Sequence, residues 1–561
     1  MRITVDPVTR IEGHLRIEAQ VKEGRVSDAW SVSPMFRGIE NILVGRDPRD
    51  AWLFAQRICG VCTTVNALAS VRAVENALGI VVPDNARLLR NLMEATQYAH
   101  DHVVHFYHLH GPDWFDLTSA LKADPAGTAA LQARLSPWPQ NSVEYFTSVR
   151  DRLKALVDGG QLGPFANAYW GHPAYALAPE SNLLLMAHYL QALDWQRDAV
   201  RIHAVLGGKN PHPQTYLVGG MSTPLDPTSE QAVNLTTLAD LRAVAGRMRA
   251  FVDQVYVPDL LHLAEAYPAW ASIGRGSRNL MAYGDFPGAD GKPLMPGGIL
   301  RDGRLTGVEA VDQSRITEDV TRSWYAPAAP THPSSGVTSP RYTGPTPPYD
   351  RLDTDGRYSW SKAPRYRDAV MEVGPLARMA VAHARGVPRA RQLLDHALTT
   401  LHWPAPALFS TLGRMVTRAL ETQWLVEQLP GWLDELGANI SAGNLTIADD
   451  SRWLPESWPA RATGVGTTEA PRGALGHWIE IADGKISRYQ IVIPSTWNGS
   501  PRDARGHRGA WEEALVGTPV RDPARPVEIL RVVHAFDPCM ACAVHVIDAH
   551  GGLVTELTVV P

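Results

Sequence analysis

Cysteine is scarce in this chain. Only four occur in 561 residues, and all four fall in two Cys-x-x-Cys pairs, Cys59/Cys62 and Cys539/Cys542. None is left over for a scattered disulfide framework, and pairs at this spacing read as metal or redox sites. Long apolar runs are also missing. None reaches the roughly 18 residues that a membrane-spanning helix needs, so the chain is not expected to span a bilayer itself. Basic runs are absent, and a net charge of −5 gives no electrostatic footprint for nucleic acid. The opening Met1-Arg2-Ile3-Thr4-Val5-Asp6-Pro7 lacks the apolar stretch of a secretory signal. If the protein is exported, another chain has to carry it.

What is present is ordinary globular composition, 45% hydrophobic and 20% charged, in a chain long enough to bury a large core. Length alone suggests roughly three or four domains, yet no composition shift gives a clean cut. Leu15, Ile17, Ala19 and Val21 alternate with polar residues, which predicts a strand, and Glu23-Gly24 predicts a turn into a second strand over Val26–Val32. Helical spacing follows over Val65–Leu78 and Ala86–His110, then near Leu183–Leu206, Glu230–Leu263 and Ala390–Glu427. Several long helices of this kind predict a bundle core. The Pro- and Gly-rich stretch Trp324–Asp350 reads as a surface excursion rather than a linker. Asp483-Gly484 marks a hairpin within Ile479–Ile493, and Pro526 opens a short helix. The expected class is α+β, a bundle of long helices with small peripheral antiparallel sheets.

Thr63-Thr64, after Cys62, are good cap residues for the helix that follows, and a helix N-terminus favours thiolate, the metal-binding form. Gly60 is expected to let the backbone turn so that both sulfurs face one point. Zinc ribbons space their pairs by about 15–20 residues, whereas most of this chain separates Cys62 from Cys539. Neither pair sits in a βαβ pattern. On spacing alone, a structural zinc and a catalytic soft-metal site both stay open.

The flanking residues say more. Arg57-Ile58-Cys59-Gly60-Val61-Cys62-Thr63 and Asp537-Pro538-Cys539-Met540-Ala541-Cys542-Ala543-Val544-His545 closely resemble the two signature motifs of nickel–iron hydrogenase large subunits. Asp6-Pro7-Val8-Thr9-Arg10-Ile11-Glu12-Gly13-His14 is similar to the family's N-terminal motif. Further similar segments are Met35–Glu40, Tyr169–Pro173, Gly207–Pro213, Ala470–Gly473 and Pro494–Asn498, so the resemblance spans nearly the whole chain.

The resemblance implies a catalytic subunit for reversible heterolytic cleavage of dihydrogen. Cys59 and Cys539 would be terminal ligands of nickel, and Cys62 and Cys542 would bridge nickel to an iron that also carries cyanide and carbon monoxide. Proton acceptance would fall to Cys539 and then Glu12. Arg472 would orient dihydrogen, held by Asp101 and Asp537. Pro471, Arg472 and Ser495 would border the iron's diatomic ligands, with Ser495 hydrogen-bonding a cyanide. Val61 and Leu109 match positions along the gas channel. Glu40, His545 and the carbonyl near Ile491 would hold a structural magnesium (iron in some members). The histidines between His100 and His110 have no ligand role in the family and read as packing, hydrogen-bonding or partner-contact residues.

Several wider expectations follow from the same resemblance. Residues 1–545 would form one compact catalytic unit, with residues 546–561 a removable extension cut after His545 by a maturation peptidase. With no spare cysteine, this chain would carry no iron–sulfur cluster, so electrons would leave through an iron–sulfur small subunit in a heterodimer, which could pair into a dimer of heterodimers. The Asp113–Asp116 and Trp138–Ala168 regions are similar to the membrane-bound uptake type, exported as a passenger without a signal peptide of its own. It would sit on the periplasmic face of the cell membrane, held peripherally through the small subunit and a cytochrome b. Two alternatives are a hydrogen-sensing regulatory subunit and a zinc-stabilised scaffold. Val61, Leu109 and the tail argue against the sensor, which carries bulkier channel residues and no tail.

Overall fold

The structure is a computed structural model that describes residues 1–160, 162–345 and 352–540. Strands β1 (Arg2–Val5), β2 (Arg16–Lys22) and β3 (Arg25–Val32) form an antiparallel sheet in that order. The expected alternation buries Ile17 and Ala19 of β2, and Leu15 just before it, but the polar face is covered as well. Arg16 donates to Glu18 through Nε at 2.9 Å, and the Leu352 N–H reaches the same carboxylate at 3.1 Å. The segment beyond Trp324 accounts for this cover. Trp324, Tyr325 and Trp360 pack with Trp30 in one aromatic cluster, so the excursion is folded back onto the sheet.

Helices α1 (Val65–Leu78), α2 (Asp84–Val104), α3 (Pro179–Gly207), α4 (Leu235–Phe251), α5 (Val257–Ala266), α6 (Pro375–Ala384), α7 (Pro388–Thr400) and α8 (Thr411–Ser441) build the bundle. The helix expected over Ala86–His110 holds to Val104 and then widens into a π-turn, His105–His110. That turn aims its histidines at separate acceptors: His105 Nε2 to the His534 carbonyl at 2.7 Å, His108 to Tyr189 at 3.1 Å and His110 to Arg531 at 3.0 Å. The helix expected from Glu230 begins only at Leu235, because Asn234 caps it by accepting from Thr237 N at 2.9 Å. It is also interrupted by a π-turn over Val252–Tyr256. The single helix expected over Ala390–Glu427 is two. His402 adopts a left-handed φ of 53°, and Pro404 and Pro406 cannot continue the ladder.

A second antiparallel sheet, β4 (Arg461–Ala470), β5 (Gly473–Ala482) and β6 (Lys485–Val492), carries the expected hairpin at Asp483-Gly484. Helix α1 lies directly on β4. A Cβ at Gly466 would stand 2.0 Å from the Ala69 carbonyl oxygen, and one at Gly464 would stand 2.2 Å from that of Ala73. Only glycine permits this approach, and it brings the first cysteine pair beside the β4–β5 turn. Helix α9 (Val527–His534) then leads to Cys539. Among the described residues no helix is long and apolar enough to cross a membrane.

An ionic cluster ties the bundle to that sheet. Arg378 of α6 donates to both Glu421 oxygens, at 2.5 and 2.7 Å, to Glu469 at 2.8 Å, and to the Ala470 and Pro471 carbonyls at 2.7 and 2.9 Å. All three side chains are buried. Burial pushes the Glu421 carboxyl up, but Arg378 and His102 outweigh it and hold it at about 2. Arg378→Met would strand two buried carboxylates, an expected loss of about 3–5 kcal/mol. Denaturant unfolding of the purified protein checks this, and a wild-type midpoint would contradict it.

Candidate metal centre

The first cysteine pair follows a tight turn, Gln56–Ile58, and precedes α1. The Val61 and Cys62 N–H groups both point at Cys59 Sγ, at 3.2 and 3.1 Å. Two donors on one sulfur favour the thiolate. Thr64 occupies the cap position of α1 without a side-chain cap bond. Thr63 instead bonds Gln97 of α2, whose Oε1 accepts from the Thr63 hydroxyl at 3.1 Å. Gln97 also donates to the Val61 carbonyl at 2.9 Å and to Asp101 at 2.6 Å, clamping the cysteine loop to α2. Gly60 does not play its expected part: its φ is not left-handed, and an added Cβ would meet nothing within 4 Å.

Cys539 enters from α9 through Asp537, which takes a left-handed φ of 55° ahead of Pro538. Cys539 N donates to Ser495 Oγ at 3.1 Å, and Met540 N donates to the Glu12 carbonyl at 2.6 Å. The two chain ends thus form a short parallel bridge, Glu12 with Cys539. Cys59 Sγ and Cys539 Sγ are 3.2 Å apart, and with Cys62 the three sulfurs lie within 4.8 Å of one another. Ligands of one tetrahedral ion with bonds of about 2.3 Å stand about 3.8 Å apart, so the spacing suits shared metal ions. Cys542 and His545 lie outside the described residues.

Val65, Ala69, Ala470, Leu475 and Ile493 wall the sulfurs, with Val61 and Ile491 at the margin. A cavity of about 10 Å³ touches Cys62, Asn66, Arg472, Ser495 and Cys539, room for nothing larger than a very small molecule. Pro471 sits in the same turn as Arg472, but its carbonyl faces Arg378 and it does not line that cavity. Leu109 lies in the π-turn, where its carbonyl accepts from Arg10 at 2.7 Å, and it is not among the apolar residues around the sulfurs.

Arg472 is buried at the tip of the β4–β5 turn. It donates to Asp101 at 3.2 Å and to Asp537 twice, at the carboxylate and the carbonyl, each at 3.0 Å. Burial works against its charge, but Asp537, Cys539, Asp101 and Cys62 together raise its pKa above the ordinary arginine value. Burial pushes the Asp101 carboxyl up, and its bonds to His100 and Arg472 only partly offset this. Glu12 Oε2 stands 3.9 Å from Cys539 Sγ.

Glu40 and Ile491 are also brought together, though through the Ile491 N–H, which donates to Glu40 at 2.9 Å. The Lys362 ammonium, which the sequence did not single out, lies 3.3 Å from Glu40, 3.2 Å from Glu318 and 2.8 Å from Gln490.

Residues 37–545 match the family described as nickel-dependent hydrogenase, and residues 2–31 match one described as HoxL-like. The chain is 48% identical to the uptake hydrogenase large subunit of Rhizobium leguminosarum bv. viciae, over 98% of this chain and 96% of that protein. It is 47% identical to the hydrogenase-1 large chain of Escherichia coli (strain K12), over 100% and 97%. Among solved structures, the Ni-Fe-Se hydrogenase from D. vulgaris Hildenborough in the reduced state is similar with a TM-score of 0.78 at 36% identity, covering 97% of this chain and 100% of that one.

Proposed function

Because the chain belongs to the nickel-dependent hydrogenase family, as a catalytic large subunit that takes up hydrogen at a nickel–iron site, we propose that Cys59, Cys62, Cys539 and Cys542 hold that site and that Cys539, Glu12 and Arg472 handle the products of heterolytic cleavage. The observation that carries this reading is the buried cluster of three sulfurs, Cys59, Cys62 and Cys539, with Arg472 beside two of them on one small cavity and the Glu12 carboxylate 3.9 Å from the Cys539 sulfur. Soft thiolates suit nickel and iron. When bound, the metal pair supplies the Lewis acid that polarises dihydrogen and takes up its electrons.

Cleavage also needs a base. Arg472 is held charged, so it does not serve as one; its guanidinium, fixed by two carboxylates, orients dihydrogen in the cavity. The Cys539 sulfur takes the proton, and Glu12 is near enough to take it on toward the surface. Cys59 and Cys539 would serve nickel, Cys62 and Cys542 would serve nickel and iron together, and Ser495, Pro471 and Arg472 would stand beside the cyanide and carbon monoxide of the iron. Glu40, His545 and the Ile491 carbonyl would take a structural magnesium or iron, a reading supported by the two carboxylates, Glu40 and Glu318, gathered there beside Lys362.

A large subunit works in a heterodimer with a small subunit. We assign the iron–sulfur clusters to that partner, electron transfer onward to a membrane cytochrome b, and peripheral attachment at the periplasmic face through both. Residues 546–561 are the removable extension, a reading supported by a family match that stops at residue 545. No feature of the site favours a hydrogen sensor or a zinc scaffold.

Infrared spectroscopy and metal analysis of the purified, processed heterodimer test the assignment. Nickel, iron in excess of it because the partner's clusters add their own, and cyanide and carbonyl stretches are expected. Zinc alone, or no such stretches, would end it.

A further inference from the structure

Glu12 and Cys539 belong to loops from opposite ends of the chain, and something must keep those loops in register. We propose that His534 is the positioning residue that sets Glu12 against Cys539, by bridging the two loops through Asp113 and the Thr9 carbonyl. The inference rests on the reading of Glu12 as proton acceptor given above.

His534 is buried at the end of α9, just before the Asp537–Cys539 turn. Its Nδ1 lies 2.6 Å from Asp113 Oδ2 and its Nε2 lies 2.9 Å from the Thr9 carbonyl oxygen. Neither partner offers a hydrogen. One is a backbone carbonyl, and the other is a carboxylate that Arg10 engages from its far side. Burial pushes the Asp113 carboxyl up, but Arg10 and His534 outweigh it and hold it far below the usual carboxylate range. The two ring nitrogens thus face acceptors on opposite sides, and the ring spans the gap between them. Arg10, His105, His110 and Arg531 are the other titratable or charged groups around the ring.

Both ends of this bridge are anchored. On the α9 side, Arg531 donates to the Asp113 carbonyl at 2.7 Å and lies over the Trp114 ring at 4.4 Å, and His105 donates to the His534 carbonyl at 2.7 Å. On the other side, Arg10 turns with a left-handed φ of 57° and bonds Leu109 and Asp113, and the chain then runs directly into Glu12. The loops are tied a second time where Met540 N meets the Glu12 carbonyl. Losing His534 removes the direct bond between α9 and the Thr9 carbonyl; Arg531 and Arg10 then join the loops only through Asp113, and the 3.9 Å between Glu12 and Cys539 Sγ is held less firmly. A misplacement near 1 Å can cost about 100-fold in rate.

The test compares His534→Gln, Asp113→Asn and Glu12→Gln in the intact heterodimer. It measures deuterium exchange between D2 and water, nickel and iron content, and the infrared bands. His534→Gln keeps an amide but cannot span the gap between two opposed acceptors. The expected result is exchange slowed by about 10- to 100-fold, with metal content and cyanide and carbonyl bands as in the wild type. Asp113→Asn is expected to slow exchange in the same direction and stands in if His534→Gln does not assemble. Wild-type exchange in His534→Gln beside a collapse in Glu12→Gln overturns the positioning role alone. Wild-type exchange in Glu12→Gln overturns the relay on which it rests. A centre that assembles in neither His534→Gln nor Asp113→Asn assigns the pair to folding and equally overturns the proposal.

Discussion

Cys539→Ser is expected to leave the protein without nickel and without hydrogen uptake. Serine is nearly isosteric, so the packing around the turn survives, including the Cys539 N–H bond to Ser495. What changes is the donor. An alcohol is not ionised near neutral pH and is a hard ligand, whereas the thiolate is soft and ready to bind. The sulfur at this position faces Cys59, and its loss breaks the set from both chain ends at once. Replacing a residue that only supports a ligand typically costs about 10- to 100-fold in affinity or activity, and losing the ligand itself should exceed that. Metal analysis and dye-linked hydrogen oxidation measure the two effects. A variant with full nickel and normal turnover would remove Cys539 from the ligand set.

Glu12→Gln should separate chemistry from assembly. The amide preserves size, and the backbone tie from Met540 N to the Glu12 carbonyl is untouched by the change. A carboxylate can accept and release a proton, and an amide cannot. General acid–base groups contribute about 100- to 10,000-fold, so turnover should drop within that range while nickel, iron and the infrared bands stay in place. A centre that never forms would instead make Glu12 a structural residue.

Much of this arrangement was legible in the sequence, and the reasons differ by element. The β2 strand and the Asp483-Gly484 hairpin declare themselves because alternation and turn chemistry are local. So does α1, whose bounds match the expected Val65–Leu78. The break between α7 and α8 was visible in principle as Pro404 and Pro406, but strong helical spacing on both sides masked it. The start of α4 was hidden because a cap such as Asn234 is identified by geometry that a string of letters does not carry. At the site, Cys59, Cys62, Cys539, Glu12, Arg472, Asp101 and Asp537 are marked in the sequence only by motif resemblance, and their convergence lies beyond any local pattern. Gln97 and Lys362 were missed for the same reason. Each acts through partners far away in sequence, and a lone glutamine or lysine gives no signal. Gly60 shows the reverse error: a plausible local role that the backbone does not require.

The close contact between Cys59 and Cys539 spans 480 positions of sequence, and this has a consequence for synthesis. A growing chain emerges from the ribosome N-terminus first, so Cys59 and Cys62 wait through nearly all of translation before their counterparts exist. Helix α1 finds the sheet it packs on only after β4 has emerged, and the pocket closes only once Cys539 and Met540 have docked against Glu12. A chain halted before α9 would hold Cys59 and Cys62 without the Cys539 sulfur that faces them.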